Sequence, residues 1–228
     1  MKKIFVTGFH PAGDFVIGSA GHLRRTASRY RHLPGYPRVF ARMKMMIDPM
    51  FRELDHYVHN PRRIIDIGCG YGVPASWLLE IYPQAQVFGL EPDEERVLIA
   101  SRVIGPRGCV QAGLAPDLPE VEGSVDYVLM LDMIHLINDA DLQLVLGRAY
   151  AQLETGGTLL IRATVPSGKK IPWKRWIESL RLKFTSRPEY FRSEKSVADF
   201  MGAAGFTVSV HDPADAAIEE KWFVGKKG

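Results

Sequence analysis

The 228 residues suffice for one domain with a sizeable core, and 46% apolar with 24% charged residues reads as a globular chain. No apolar run approaches the roughly 20 residues that span a bilayer, and the opening "MKKIFVTGFHPAGDF" is broken by His10, Pro11 and Asp14, too early for a secretory signal. Cys69 and Cys109 are the only cysteines, which argues against a disulfide scaffold and suits a reducing cytoplasm, and the net charge of +3 is mild.

Residues 1–60 read as a basic helical extension, with helices over "HLRRTASRYRHL" and "YPRVFARMKMMIDPMFRELDHYV" hinged near "PGYP". Between Asp14 and Asp48 there is no acid, while seven Arg and Lys residues fall there. That is either a solvated surface or an arm that meets an anionic substrate or acidic partner.

From residue 61 to 228 the pattern alternates between strand and helix. "RIIDIG" is a buried strand, and "PASWLLEIYP" a helix opened by Pro74. "AQVFGLE" is the second strand. "PDEERVLIASRVIG" is a helix with acids in its first turn and Gly105 as its stop. "CVQAG" and "SVDYVLMLD" are strands three and four, with Asp126 read as a residue that starts the fourth rather than a ligand. "NDADLQLVLGRAYAQLETGG" is a helix capped by Asn138 or Asp139 and closed by Gly156. "TLLIRATV" is strand five, "SEKSVADFMGAAGF" a helix capped by Ser193, and "FTVSVHD" and "KWFVGKK" an antiparallel hairpin at the sheet edge. Strands separated by single helices predict a doubly wound, mostly parallel α/β sheet.

The stretch "RRIIDIGCGYGVPASW" places glycines at 68, 70 and 72 directly after a strand. A phosphate-binding P-loop needs Lys and Ser or Thr after its last glycine, but Val73 and Pro74 stand there. The dinucleotide pattern needs a third glycine where Val73 falls. Asp66, two residues before Gly68, suits a cationic amino-acid group and would repel a pyrophosphate. Glu91, 21 residues after Gly70, sits where an acid accepts both ribose hydroxyls. A ribose without phosphate, joined to a cation, is S-adenosylmethionine.

The segments "IIDIGCGYG", "VFGLEPDEE", "VQAGLAPDLP", "SVDYVLMLDMIHLI" and "LETGGTLLI" stand in an order and spacing that resembles the class I S-adenosylmethionine-dependent methyltransferases. The resemblance covers roughly residues 62–165 and implies a Rossmann-like seven-stranded sheet, with the cofactor over the carboxyl ends of the first strands. It carries the cofactor's methionine part to Asp66, Gly68, Cys69 and Gly70, the ribose to Glu91, the adenine side to Pro92, and the sulfonium side to Leu131 and Asp132. Gly113 and Leu114 fall where the family often places an acid for the adenine amino group; "QAGLAPD" has none there, which leaves backbone contacts and Asp117 as open alternatives. Cys69 reads as a small residue that fits the loop, and no Cys/His cluster has metal-ligand spacing.

His135 is the leading general-base candidate for an acceptor hydroxyl, with Asp132 second; the plain alternative for His135 is a structural hydrogen bond. The basic stretch "PSGKKIPWKRWIESLRLKFTSRPEYF" carries Trp173, Trp176, Ile177 and Leu180 at helical spacing and reads as a lid over the pocket. Two basic regions favour a small anionic acceptor, with coenzyme A or an acidic carrier protein as handles that charge would suit. A nucleic-acid enzyme is disfavoured because "LDMIHL" lacks the Asn/Asp-Pro-Pro-aromatic stretch of amino-group base methylation, although protein substrates stay open. Outside the enzyme class, a cofactor-binding interaction protein would bind the same ligand without turnover.

Overall fold

The computed structural model describes residues 16–166, 188–214 and 219–228. The chain runs α1 (Ala20–Ser28), α2 (Gly35–Ile47), α3 (Met50–Glu53), β1 (Arg63–Ile67), α4 (Val73–Ile81), β2 (Gln86–Glu91), α5 (Glu94–Ile104), β3 (Gly108–Ala112) and β4 (Val125–Leu131). It continues with α6 (Asp139–Gln152), β5 (Leu153–Thr164), α7 (Glu194–Ala203), β6 (Thr207–His211) and β7 (Glu220–Lys226). The seven strands are ordered β3-β2-β1-β4-β5-β7-β6. The pairs among β1 to β5 are parallel, and β7 runs antiparallel between β5 and the edge strand β6. The doubly wound sheet and its terminal hairpin are as expected. Because the chain departs in opposite directions from β1 and β4, a crevice opens at their carboxyl ends.

Local chemistry fixes most helix starts. Asp93, Asn138 and Ser193 each accept a hydrogen bond from the backbone N–H three residues on, which satisfies a first-turn donor of α5, α6 and α7. Gly105, at φ +63°, ends α5.

Two boundaries differ from the sequence expectation. The helix expected over 36–58 breaks after Ile47, because Pro49 has no N–H and the Asp48 carboxylate caps the Met50 N–H instead. Gly156 does not close α6, which ends at Gln152. Buried Leu153 already pairs with Val125 of β4, and Gly156 lies inside β5, its N–H donating to the Lys227 carbonyl.

Each face of the sheet carries its own core. On one face Tyr30, Ala41, Met45, Phe51 and Leu54 from the N-terminal segment pack with Trp77, Leu78 and Val103. On the other, Leu142, Val145, Leu146, Val197 and Met201 pack against β4, β5 and β7. The basic N-terminal segment is partly turned inward: Arg25 and Arg29 both pair with Glu80, and Arg29 also donates to the Val103 carbonyl. No helix among the described residues is long and apolar enough to cross a membrane.

Candidate functional site

The turn after β1 has Gly68, Gly70 and Gly72 at φ +72°, +57° and +71°, the left-handed region that side chains disfavour. The demands differ by position. A Cβ at Gly72 would press on Ala100 and Val103 of α5 at 3.2–3.3 Å, whereas one at Gly70 would meet nothing within 4 Å, so Gly70 is required for its backbone alone. The N–H groups of Gly68 and Cys69 both donate to the Leu90 carbonyl (2.7 and 3.1 Å), which locks the turn to the end of β2. Cys69 is buried beneath it, with its sulfur where a Cβ on Gly89 would stand at 2.8 Å.

A cavity of about 430 Å³ lies over this turn, within the size range of small-molecule sites. Of the residues singled out from sequence, Gly68, Gly70, Glu91, Pro92, Gly113, Leu114, Leu131 and Asp132 line it. Asp66, Cys69 and His135 are not on its lining.

Asp66 is 1% exposed, and its Oδ2 is buried without a hydrogen-bond partner. Burial, with a smaller contribution from Glu91, pushes its carboxyl up to about 7. Glu91 accepts the Gly70 N–H on Oε2 (2.9 Å) and the Asp93 N–H on Oε1 (3.3 Å). Each oxygen keeps a further lone pair, and the residue lines the cavity. An orphaned carboxylate below a bare turn and a second acid on the wall fit a cationic nucleoside: Asp66 would gain a compensating charge, and Glu91 could accept ribose hydroxyls. S-Adenosylmethionine, when bound, supplies an electrophilic methyl group on a sulfonium.

Asp132 leaves β4 at φ +58°, a conformation unusual for a residue other than glycine. Arg162 Nη1 donates to both oxygens of its carboxylate (3.0 and 2.8 Å), and Lys44 Nζ lies 3.5 Å away. Arg162 also reaches Asp48 at 2.9 Å, and Lys44 reaches it at 3.3 Å. The cluster, centred on the buried Arg162, thus ties α2 to β4 and β5. Burial raises the cost of charge on Asp48, but Arg162 and Lys44 outweigh it and hold the carboxyl below its usual range. Sequence reasoning missed this cluster; its signal was a lone arginine inside the apolar strand "TLLIRATV".

His135 stacks flat on Phe191, ring centroids 5.5 Å apart and planes 4° from parallel. Burial lowers its pKa. Arg192, also missed, is buried and donates to the carbonyls of Ile134 (2.9 Å), Ile137 (2.6 Å) and Tyr190 (3.1 Å) and to Asp139. It fastens the turn after β4 to the segment that brings Pro188 and Tyr190 to the cavity. The expected lid residues Trp173, Trp176, Ile177 and Leu180 lie outside the described residues. Asp117 does not face the cavity; it is 73% exposed and paired with Arg148 at 2.6 Å. Among the described residues, no group of three His, Cys, Asp or Glu is placed to hold a metal ion.

Residues 64–157 match the family model described as "Methyltransferase domain". The trans-aconitate 2-methyltransferase of Pseudomonas paraeruginosa is 30% identical over 137 residues, 60% of this chain and 47% of that protein. The malonyl-(acyl-carrier protein) O-methyltransferase of Legionella pneumophila is 31% identical over 108 residues, 46% of this chain and 38% of that protein. The chain therefore spans under half the length of these relatives. In fold, human N-acetylserotonin methyltransferase, solved in complex with SAM, superposes with a TM-score of 0.64 at 16% identity, over 90% of this chain and 57% of that one. The bare turn after β1, the acid ending β2, the seven-stranded order and these likenesses agree: residues 64–157 match a methyltransferase domain, and in fold and site the chain is similar to the class I S-adenosylmethionine-dependent methyltransferases.

Proposed function

We propose that the chain transfers the methyl group of S-adenosylmethionine to a carboxylate oxygen of a small acid, free or borne on a carrier. The observation that carries this reading is that neither base candidate is presented to the cavity as a free proton acceptor. Both oxygens of Asp132 are taken by Arg162 Nη1, and His135 is stacked on Phe191 and is not among the lining residues. A hydroxyl acceptor must lose a proton to react, whereas a carboxylate, with a pKa near 4, is already a competent nucleophile at neutral pH. Positioning then supplies most of the catalysis. The two curated relatives, whose names give trans-aconitate and a malonyl group on a carrier protein, support the same acceptor class.

In this reading residues 61–228 are the methyltransferase domain, and the helices before it a cover. The methionine end of the cofactor rests on Gly68 and Gly70, with Asp66 and Cys69 beneath. Glu91 holds the ribose, Pro92, Gly113 and Leu114 flank the adenine, and Leu131 with Asp132 stands beside the sulfonium. Arg38 and Arg42, exposed on α2, offer positive charge to an anionic acceptor or an acidic carrier. Cys69 and Cys109 are both free, which suits a cytoplasmic reaction.

Incubation with methyl-labelled cofactor and a panel of di- and tricarboxylic acids, a malonyl carrier thioester, phenols and RNA tests the proposal. Carboxyl methyl esters release volatile methanol in alkali, so the expected label is alkali-labile. Alkali-stable label, in a phenol ether or in RNA, would overturn it. Separately, Glu91→Ala should weaken S-adenosylhomocysteine binding by about 100-fold or more, since hydrogen bonds to a charged acceptor contribute about 1.5–3 kcal/mol each. Calorimetric titration reads this, and unchanged affinity would remove Glu91 from the ribose.

A further inference from the structure

We propose that Asp141, in the first turn of α6, is the carboxylate that recognises the adenine amino group, in place of an acid after β3. The inference rests on the cofactor reading above. Three carboxylates line the cavity: Glu91, Asp132 and Asp141. Glu91 accepts two backbone N–H groups at the end of β2, and Asp132 is gripped by Arg162. Asp141 is differently held. Asn138 Nδ2 donates to its Oδ2 (2.8 Å), while Asn138 Oδ1 accepts the Asp141 N–H (2.9 Å). That reciprocal pair fixes the carboxylate and leaves Oδ1 without a hydrogen bond among the described residues.

The register of α6 sets what Asp141 faces. Arg148, seven residues on and so on the same side of the helix, donates to the Pro116 carbonyl (2.9 Å) and to Asp117 (2.6 Å). That side of α6 therefore runs along the loop after β3, and two turns earlier Asp141 lines the same cavity as Gly113, Leu114 and Ala115 of that loop. The cavity lining also includes Leu114 and Leu136, which are 56% and 43% exposed. Large apolar side chains left open on a cavity wall suit a flat ring, and a fixed carboxylate beside them suits that ring's N–H donor. Adenine has both, a planar face and a 6-amino group. Asp117, the nearest acid in sequence, is occupied outside by Arg148.

The test compares S-adenosylhomocysteine with S-inosylhomocysteine, whose 6-oxo group accepts where the amine donates. The intact protein should prefer the adenosyl compound by about 10- to 100-fold, the range of one hydrogen bond to a charged group. Asp141→Ala should bring the two affinities within about threefold by weakening only the adenosyl compound. Asp141→Asn, whose amide donates to an oxo group, should bind the inosyl compound more tightly than the unaltered protein does. Asp117→Ala should leave the preference intact. Because the readout is a ratio on one protein sample, partial unfolding lowers both affinities and leaves it unmoved. A preference that survives in Asp141→Ala, or vanishes in Asp117→Ala, would overturn the assignment. Failure of the adenosyl compound to bind the unaltered protein would instead overturn the cofactor reading.

Discussion

Replacing Arg162 with alanine is expected to cost about 3–5 kcal/mol of folding stability and to weaken cofactor binding as well. The guanidinium is only 5% exposed and serves Asp48 and Asp132 together, so its removal leaves two carboxylates facing Lys44 alone. Stripping the buried partner from such a cluster leaves two half-buried carboxylates that Lys44 and solvent compensate only in part. The carboxylates would also repel one another, and Glu220, which feels the Arg162 charge, would lose it. Asp132 would no longer be held at its positive φ on the cavity wall. Arg162→Lys should be intermediate, because a single ammonium keeps the charge but cannot reach Asp132 and Asp48 with separate nitrogens as the guanidinium does.

The pH dependence has a definite sign. Asp48 is more acidic in the folded chain than unfolded, so its ionic contribution is present above pH 4 and disappears as pH falls through its folded value. The gap between the protein and Arg162→Ala should therefore narrow in acid. Urea unfolding at pH 7.5 and at pH 3.5 reads both. A loss under 1 kcal/mol at neutral pH would mean that the cluster is solvated and does not brace the site.

Asp66→Asn should make the free protein more stable at pH 8 while weakening its hold on S-adenosylhomocysteine at least tenfold. The Asp66 carboxyl is raised from its ordinary 3.8 to about 7, so the folded chain binds this proton more tightly than the unfolded chain does. Stability from this group is complete below pH 4 and declines as pH climbs to 7. Over about three pH units the penalty reaches roughly 4 kcal/mol. Asparagine carries no charge to desolvate, though its amide needs partners that a buried pocket does not all provide. The net gain at pH 8 should be about 1–3 kcal/mol, with none at pH 5. The same physics predicts that a cationic ligand binds more weakly as pH drops below 7, where Asp66 is protonated and has no charge to offer. Gain in stability with loss of affinity is the signature of a strained binding group. A variant less stable at pH 8 than the parent would place a hidden donor on Asp66 and remove the argument.

What the sequence by itself determined was set by demands that each residue makes on its own backbone. Glycines at 68, 70 and 72 announced a turn that only glycine tolerates, and the structure places all three at positive φ. Caps at Asp93, Asn138 and Ser193 act over three residues, and alternation of apolar and turn residues gave the parallel strands and the edge hairpin. Glu91 followed from its place at the end of the second strand, while Pro92, Gly113, Leu114 and Leu131 came from the family resemblance; all five line the cavity.

The tertiary structure decided the rest, because long-range partners have no sequence period. Arg162 meets Asp132 across 30 residues and Asp48 across 114, so nothing near "RAT" could name its partners. Leu153 left its helix early because burial against β4 outweighed the helical pattern around it. Position alone marked His135 as a base candidate, and only the fold shows that its ring stacks on Phe191, a neighbour delivered by a distant segment that Arg192 holds down. Asp117 was the acid nearest the adenine side in sequence, but the register of α6 gave Arg148 to Asp117 and brought Asp141 to the wall. Backbone preference is a local energy that a single residue carries, whereas charge pairing and burial are shared energies that exist only once the sheet has brought distant residues together.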